Sequence, residues 1–355
     1  MTHCSHGLHF VLNVTDHVSS SYDWAGVAQC VLSLVRLSHQ TTLRQPVQTQ
    51  GIGLHTAVPA QVTLNPAPPD TGLVFRRTDL DGFEVEAHVR NVSRVSYATS
   101  LMKKGVWLST IEHLLAALYS CGVDNAYIDI DALEVPILDG SAQPWMDLID
   151  QAGVRTLRRR RRYIKVLKPL EVTDGHPGTP AFRSIGIYPA DKFRVKCFID
   201  FPHPLVGQQE IELHVERESF SSMLASARTF GFYEDVERLR AVGLIRGGSL
   251  ENAIVLTRDG ILNPPSAGNG GAPQGNGAHP LRYPDEFGRH KTLDLIGDLA
   301  LVGRPLKALV VARKAGHALH TQLVTRLLAD TSLWTETTEE AEGVRAERVP
   351  TQLTA

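Results

Sequence analysis

The chain has 355 residues, with 36 Lys and Arg against 38 Asp and Glu, a formal net charge of -2, and 43% hydrophobic residues. That balance removes the electrostatic drive for general binding to nucleic acid or anionic membrane, and the length allows two domains of roughly 100 to 200 residues. The cysteines Cys4, Cys30, Cys121 and Cys197 are scattered with no CxxC pair, which argues against a disulfide framework or a cysteine zinc site and for a reducing compartment.

Residues 1–38 show no sustained period and mix Ser, His and Asp with short apolar runs. They read as an extension of the folded unit or a targeting segment. The apolar stretch 25–37 is interrupted by Gln29 and Arg36 and falls short of the roughly 20 residues that span a bilayer, so no transmembrane segment is expected. It lacks a cationic lead for a secretory signal, and a transit peptide normally carries earlier arginines than Arg36.

From Thr41 the pattern becomes strand and turn. Runs such as 60–64 and 72–75 alternate and are bounded by Pro66, Pro68 and Pro69. Ser109 as cap, Glu112 three residues on, and Ile111, Leu114, Leu115 and Leu118 at helical spacing predict a helix. Residues 126–130 then read as a strand and 144–152 as a second helix. This first α+β domain spans 39–157. The five arginines 158–162 read as a solvated linker rather than a nucleic-acid patch. The second domain, 163–330, repeats the plan, with strands near 164–171 and 194–201 and helices near 220–227 and 289–301. Within it, 263–280 is rich in Gly, Pro and Asn and reads as a surface insertion without P-loop spacing. Residues 331–355 read as a disordered tail.

The chemistry concentrates in a few places. His290, Asp294 and Asp298 recur every four residues, hence on one helix face, and a His and a carboxylate at that spacing can share a metal ion. The competing reading is a surface His with an Asp partner. Glu112-His113 on the helix of the first domain would complete a set of His113, His290 and Asp294 with Glu112 as general base toward water. Against it stand Glu112 as a capping acid and His113 as a core residue. Gly316-His317 follows the apolar run 306–312; His317 could donate a proton to a leaving amine, with Asp298 holding it charged. Thr229, Phe230 and Phe232 offer a hydroxyl and two aromatics for an oxyanion and a sugar ring, or else mark a helix end stopped by Gly231 with the rings in the core.

Six ordered motifs carry a resemblance: Thr110-Ile111-Glu112-His113-Leu114, Val135-Pro136-Ile137-Leu138-Asp139-Gly140-Ser141-Ala142, Ala227-Arg228-Thr229-Phe230-Gly231-Phe232, Gly247-Gly248-Ser249, Arg289-His290-Lys291-Thr292-Leu293-Asp294 and Gly316-His317-Ala318-Leu319. Together, over about residues 40–329, they resemble the UDP-3-O-acyl-N-acetylglucosamine deacetylase family, zinc amidases of lipid A synthesis. The resemblance implies an α+β fold of two similar domains, each a β-sheet with a helical layer, packed helix to helix as a β-α-α-β sandwich. It implies Zn2+ held by His113, His290 and Asp294, Glu112 as general base, His317 as the proton donor oriented by Asp298, and Thr229 at the oxyanion. Phe230 is implied to lie against the glucosamine ring and Lys291 to face the diphosphate, with Lys314 a further substrate contact. An insert at 231–255, including Leu239, Val242, Leu244 and Ile245, is implied to form the acyl passage. The reaction implied is hydrolysis of the 2-acetamido group to the free amine and acetate by a monomer, with no nucleic-acid partner. The phrases 243–252 and 293–299 look closest to plant-type members, which points to the mitochondrion; a bacterial source points to the cytoplasm. Alternatives are a zinc amidase acting on another N-acyl sugar nucleotide and a catalytically silent binding protein of the same fold.

Overall fold

A computed structural model gives the structure of the chain and describes residues 38–265 and 280–338. The extension 1–37, most of the Gly/Pro-rich insertion and the end of the tail lie outside the described residues.

The fold is α+β, with two main sheets and a helical layer between them. In the first sheet the strand order is Val47–Ile52, Pro59–Pro66, Ala126–Ile130, Leu73–Arg77, Phe83–Glu86. Ala126–Ile130 is its centre, antiparallel to Pro59–Pro66 and parallel to Leu73–Arg77. In the second sheet Leu306–Arg313 is central. It runs antiparallel to Arg183–Pro189 on one side and parallel to Arg162–Val166 and Arg194–Phe201 on the other.

Helix α1 (Glu112–Ser120) is apolar nearly all round, and Leu114, Leu115, Ala116, Ala117 and Leu118 are fully buried, as a helix without a polar face must be. It packs on α2 (Gln143–Ala152), which lies over Val47–Ile52. Next in the chain come α3 (Arg217–Met223), α4 (Tyr233–Ala241) and α5 (Glu286–Leu299). Helix α5 lies on Arg194–Phe201 and Gly207–His214 and crosses α1, while α6 (His317–Ala329) covers Leu170–Asp174 and Arg183–Pro189. The helical layers of the two halves therefore face each other across α1 and α5.

Several expectations need correction. The arginine run is not a linker: Arg158, Arg159 and Arg160 end the strand Val154–Arg160, antiparallel to His39–Leu43, and Arg162 opens the next strand. Charge does not prevent pairing here, because carboxylates meet these side chains. Arg159 and Arg162 reach Asp70 at 2.9 and 3.2 Å, and Arg161 reaches Asp124 at 2.8 Å. The described part of the tail is not disordered: its strand Trp334–Thr338 adds to Arg162–Val166 in antiparallel register. The single strand read over 164–171 is two, Arg162–Val166 and Leu170–Asp174. Pro169 lies between them and has no N–H to give a ladder. Ser109 does not cap α1, since its N–H and C=O bridge to Leu133 and Val135, and the helix starts at Glu112 itself.

Candidate active site

The α1/α5 crossing gathers the ionisable residues. His113 on α1 and His290 on α5 stand edge to face, ring centroids 4.9 Å apart. Asp294, one turn beyond His290, places Oδ1 3.5 Å from His113 Nε2 and 3.4 Å from His290 Nε2. All three are buried.

Whether this set suits a metal is a question of geometry and tautomer. Ligand atoms on a tetrahedral centre with bonds of about 2.1 Å stand about 3.4 Å apart, and the measured separations agree. His290 Nδ1 lies 3.1 Å from the Ala227 carbonyl. That bond places the proton on Nδ1 and leaves the Nε2 lone pair turned to Asp294. Burial lowers the His290 pKa to about 4 against the pull of Asp294, so the ring is neutral, as a ligand must be. Asp294 is held well below the ordinary carboxylate range: burial opposes this, but the Lys291 ammonium and the histidines outweigh it. The donor set fits a divalent metal.

Beside this trio, Thr99 donates its backbone N–H to Glu112 Oε2 at 3.2 Å, and its hydroxyl lies 2.5 Å from Asp298 Oδ1. Burial raises the Glu112 pKa, against the opposing influence of His317 and His113. Asp298 Oδ2 meets Nδ1 of His317 at 2.6 Å and Nδ1 of His320 at 2.8 Å. Burial would lower the His317 pKa, but the Asp298 charge and hydrogen bond win and raise it to about 9. The same pairing, working against burial, takes Asp298 down to about 2. The result is an imidazolium next to a protonatable carboxyl, the pairing of acid and base that hydrolysis of an amide calls for.

Glu112, His113, His290, Asp294, His317, Thr229, Phe230 and Lys291 all line one cavity of about 740 Å³. Phe230 packs edge to face on Phe287, centroids 4.9 Å apart, and on the edge of His290. Its strand Phe230–Phe232 pairs in parallel with Ile254–Leu256, so it ends no helix: α3 has already stopped at Met223. Leu239 and Ile245 also line the cavity, but Val242 and Leu244 do not, and Val242 is 69% exposed.

The two lysines expected to contact substrate differ in placement. Lys291 lines the cavity, with Nζ 2.8 Å from Asp294 Oδ2. Lys314 Nζ bonds the Pro180 carbonyl at 2.6 Å, and its side chain is not among those lining the cavity. Thr99 and His320 were given no part by the sequence. Thr99 stands alone between strands with no spacing to mark it, whereas His320, three residues after His317, could have been found from its helical spacing.

A buried His2Asp set that could hold a metal ion, with an adjacent carboxyl and imidazolium and open to a large cavity, is a donor arrangement suited to metal-assisted hydrolysis, on an α+β fold. Comparison with known proteins narrows the class. The family model for UDP-3-O-acyl N-acetylglycosamine deacetylase (LpxC) matches residues 40–329. A protein of Solibacter usitatus named UDP-3-O-acyl-N-acetylglucosamine deacetylase is 50% identical over 295 residues, covering 83% of this chain and 93% of its own. Proteins of the same name from Anaeromyxobacter dehalogenans and Myxococcus xanthus are each 42% identical, covering 82% and 83% of this chain and 88% of their own lengths. The chain belongs to the UDP-3-O-acyl-N-acetylglucosamine deacetylase family. These relatives are bacterial and lend no support to the plant-type likeness or to a mitochondrial location.

Proposed function

We propose that this chain hydrolyses the 2-acetamido group of UDP-3-O-acyl-N-acetylglucosamine, giving the free amine and acetate, the committed step of lipid A biosynthesis. The observation that carries this reading is the convergence of His113, His290 and Asp294 with Glu112 and His317 on a single cavity, in a chain of this family. His113, His290 and Asp294 hold the metal, which we take to be zinc from the tetrahedral spacing and the nitrogen and oxygen donors. When bound, it supplies Lewis acidity toward the amide carbonyl and toward water.

The chain's own residues supply the rest. Glu112, raised by burial, accepts a proton from the attacking water. Thr99 orients the Glu112 carboxylate through its N–H, and the Thr229 hydroxyl faces the charge developing on the carbonyl oxygen. His317, held cationic by Asp298, gives its proton to the departing nitrogen, so that the C–N bond breaks with an amine and not an amide anion as leaving group. Phe230 offers an apolar face to the glucosamine ring. Lys291 neutralises Asp294 and keeps one ammonium at the polar end of the substrate. The apolar residues of 231–255 that line the cavity receive the acyl chain. Metal and acid–base groups all come from one chain in two halves, 39–157 and 163–330, so a monomer suffices. For a bacterial enzyme the reaction belongs in the cytoplasm.

The direct test is acetate release from UDP-3-O-acyl-N-acetylglucosamine by purified protein, before and after chelation and zinc restoration. Turnover that is lost and regained with zinc is the expected result. A folded, zinc-loaded protein without turnover would overturn the reading.

A further inference from the structure

Glu134 has no place in the chemistry above, yet it is one of the most constrained side chains in the molecule. It is 1% exposed. Its Oε1 accepts from the His55 backbone N–H at 2.9 Å and the Thr110 hydroxyl at 2.9 Å, and its Oε2 from the Thr56 N–H at 2.9 Å and the Thr56 hydroxyl at 2.7 Å. None of these donors is a cation, so the carboxylate is organised around loop positions and not around a charge. Gly53 makes room for it: a β-carbon there would stand 2.7 Å from the Glu134 Cδ.

The four donors come from two parts of the site. Thr110 has φ +58°, a left-handed conformation that a β-branched residue rarely adopts, and it stands two residues before Glu112. The 53–57 loop carries the other donors and in turn holds the segment that bounds the apolar end of the cavity. Leu54 O accepts from Gly247 N at 3.0 Å, His55 O from Arg246 N at 3.2 Å, and His55 Nδ1 from Ile245 N at 3.4 Å. Gly247 lies so close that a β-carbon would strike the Gly53 carbonyl. Leu54, His55 and Ile245 line the cavity together with Glu112.

We propose that Glu134 is a positioning residue that ties the wall of the acyl-chain cavity to the start of α1, and so sets discrimination among substrate acyl chains. This rests on the deacetylase reading above. The physical asymmetry lies in its donors. In Glu134→Gln one oxygen becomes an NH2 group, which must face a backbone N–H of either His55 or Thr56. A hydroxyl can turn and accept, but an amide N–H cannot, so one buried loop donor loses its partner. The Thr110 contact survives, and with it the placement of Glu112. The variant therefore loosens the cavity wall and spares the chemistry.

The experiment measures kcat and KM of wild type and Glu134→Gln on a series of 3-O-acyl chain lengths, with metal content determined in parallel. The expected result is a KM about tenfold higher for the best long-chain substrate, with kcat within about twofold, and a preference for long over short chains that shrinks by the same factor. Equal loss on all chain lengths, or no change, overturns the proposal. Gly247→Ala breaks the same docking from the other side and must give the same loss of discrimination; retained discrimination there also overturns it. Amide hydrogen exchange at 245–247 needs no turnover and must be faster in Glu134→Gln than in wild type; unchanged exchange refutes the coupling. Wild type without turnover would refute the deacetylase reading alone, and the exchange result would still decide the coupling.

Discussion

Gly297 on α5 lies against the backbone of Glu112 at the start of α1: a β-carbon at position 297 would land on the Glu112 carbonyl oxygen and within 3.0 Å of its Cα. This close approach brings Asp294 and Asp298, on either side of Gly297 along α5, to the first turn of α1. In an isolated helix, alanine is better than glycine by up to about 1 kcal/mol. Here the collision outweighs that gain, and Gly297→Ala is expected to cost about 1–3 kcal/mol of stability. A displacement of Glu112 by a fraction of an ångström to 1 Å is expected to lower kcat on the order of 10²-fold. Thermal melting and steady-state kinetics check both, and wild-type kcat in the variant would show that the helices can part without disturbing the site.

The division of labour between Glu112 and His290 predicts two different defects. Glu112→Gln keeps the size of the side chain and the Thr99 contact but removes the carboxylate proposed as proton acceptor. Its kcat should fall by about 10²- to 10⁴-fold, with metal stoichiometry unchanged. His290→Ala removes a proposed ligand and should lose bound metal as well as activity. Elemental analysis of the purified variants separates the cases. Full activity in Glu112→Gln would remove Glu112 from the role of base.

The parts of this site that a sequence can display are those with a period. Strands Ala126–Ile130 and Arg194–Phe201 alternate, and both run over the residues their alternation predicts. His290, Asp294 and Asp298 are four apart on one helix; the first two line the cavity and Asp298 lies buried behind His317. Pairing partners chosen by the tertiary fold leave no such mark. Arg158 to Arg162 look like a solvated run until Asp70 and Asp124 are seen beside them. Ser109 followed by Glu112 looks like a helix cap until the backbone of Ser109 is seen to be taken by the 133–135 segment. Thr99 and Glu134 are single polar residues among strands, and only their long-range hydrogen bonds distinguish them.

His317 gives the site a pH signature. With the folded pKa of His317 raised to about 9 from the ordinary 6.5 and that of Asp298 lowered to about 2 from the ordinary 3.8, the Asp298–His317 pair stabilises the fold fully between those two ordinary values, and that contribution is lost as pH rises through about 9 or falls through about 2. A divalent metal nearby repels the imidazolium and lowers its pKa from there. Activity that needs the cationic imidazole should therefore decline on an alkaline limb between pH 6.5 and 9. In Asp298→Asn the raising partner is gone, and the limb should move to lower pH as kcat falls. The pH profile of kcat for both proteins checks this. An alkaline limb in the same place in both would mean that a different group, or the metal site, titrates there.

Arg228 and Glu286 form a buried ion pair behind the metal set, 6% and 0% exposed. Arg228 gives Nε at 2.9 Å, Nη2 at 3.2 Å and its own backbone N–H at 3.0 Å to the Glu286 carboxylate, which also accepts from Arg282 N at 2.6 Å. The residue before it, Ala227, provides the carbonyl that orients His290. Arg228→Met leaves the Glu286 carboxylate buried with only backbone donors, and breaking such a pair costs about 3–5 kcal/mol. Because Ala227 moves with Arg228, the loss should extend to the His290 tautomer and weaken metal affinity by about 10- to 100-fold. Chemical denaturation reads the first effect, and competition with a chromogenic chelator reads the second. Stability that falls with metal affinity intact would confine Arg228 to the fold; affinity that falls with it makes the pair part of how the chain holds its metal.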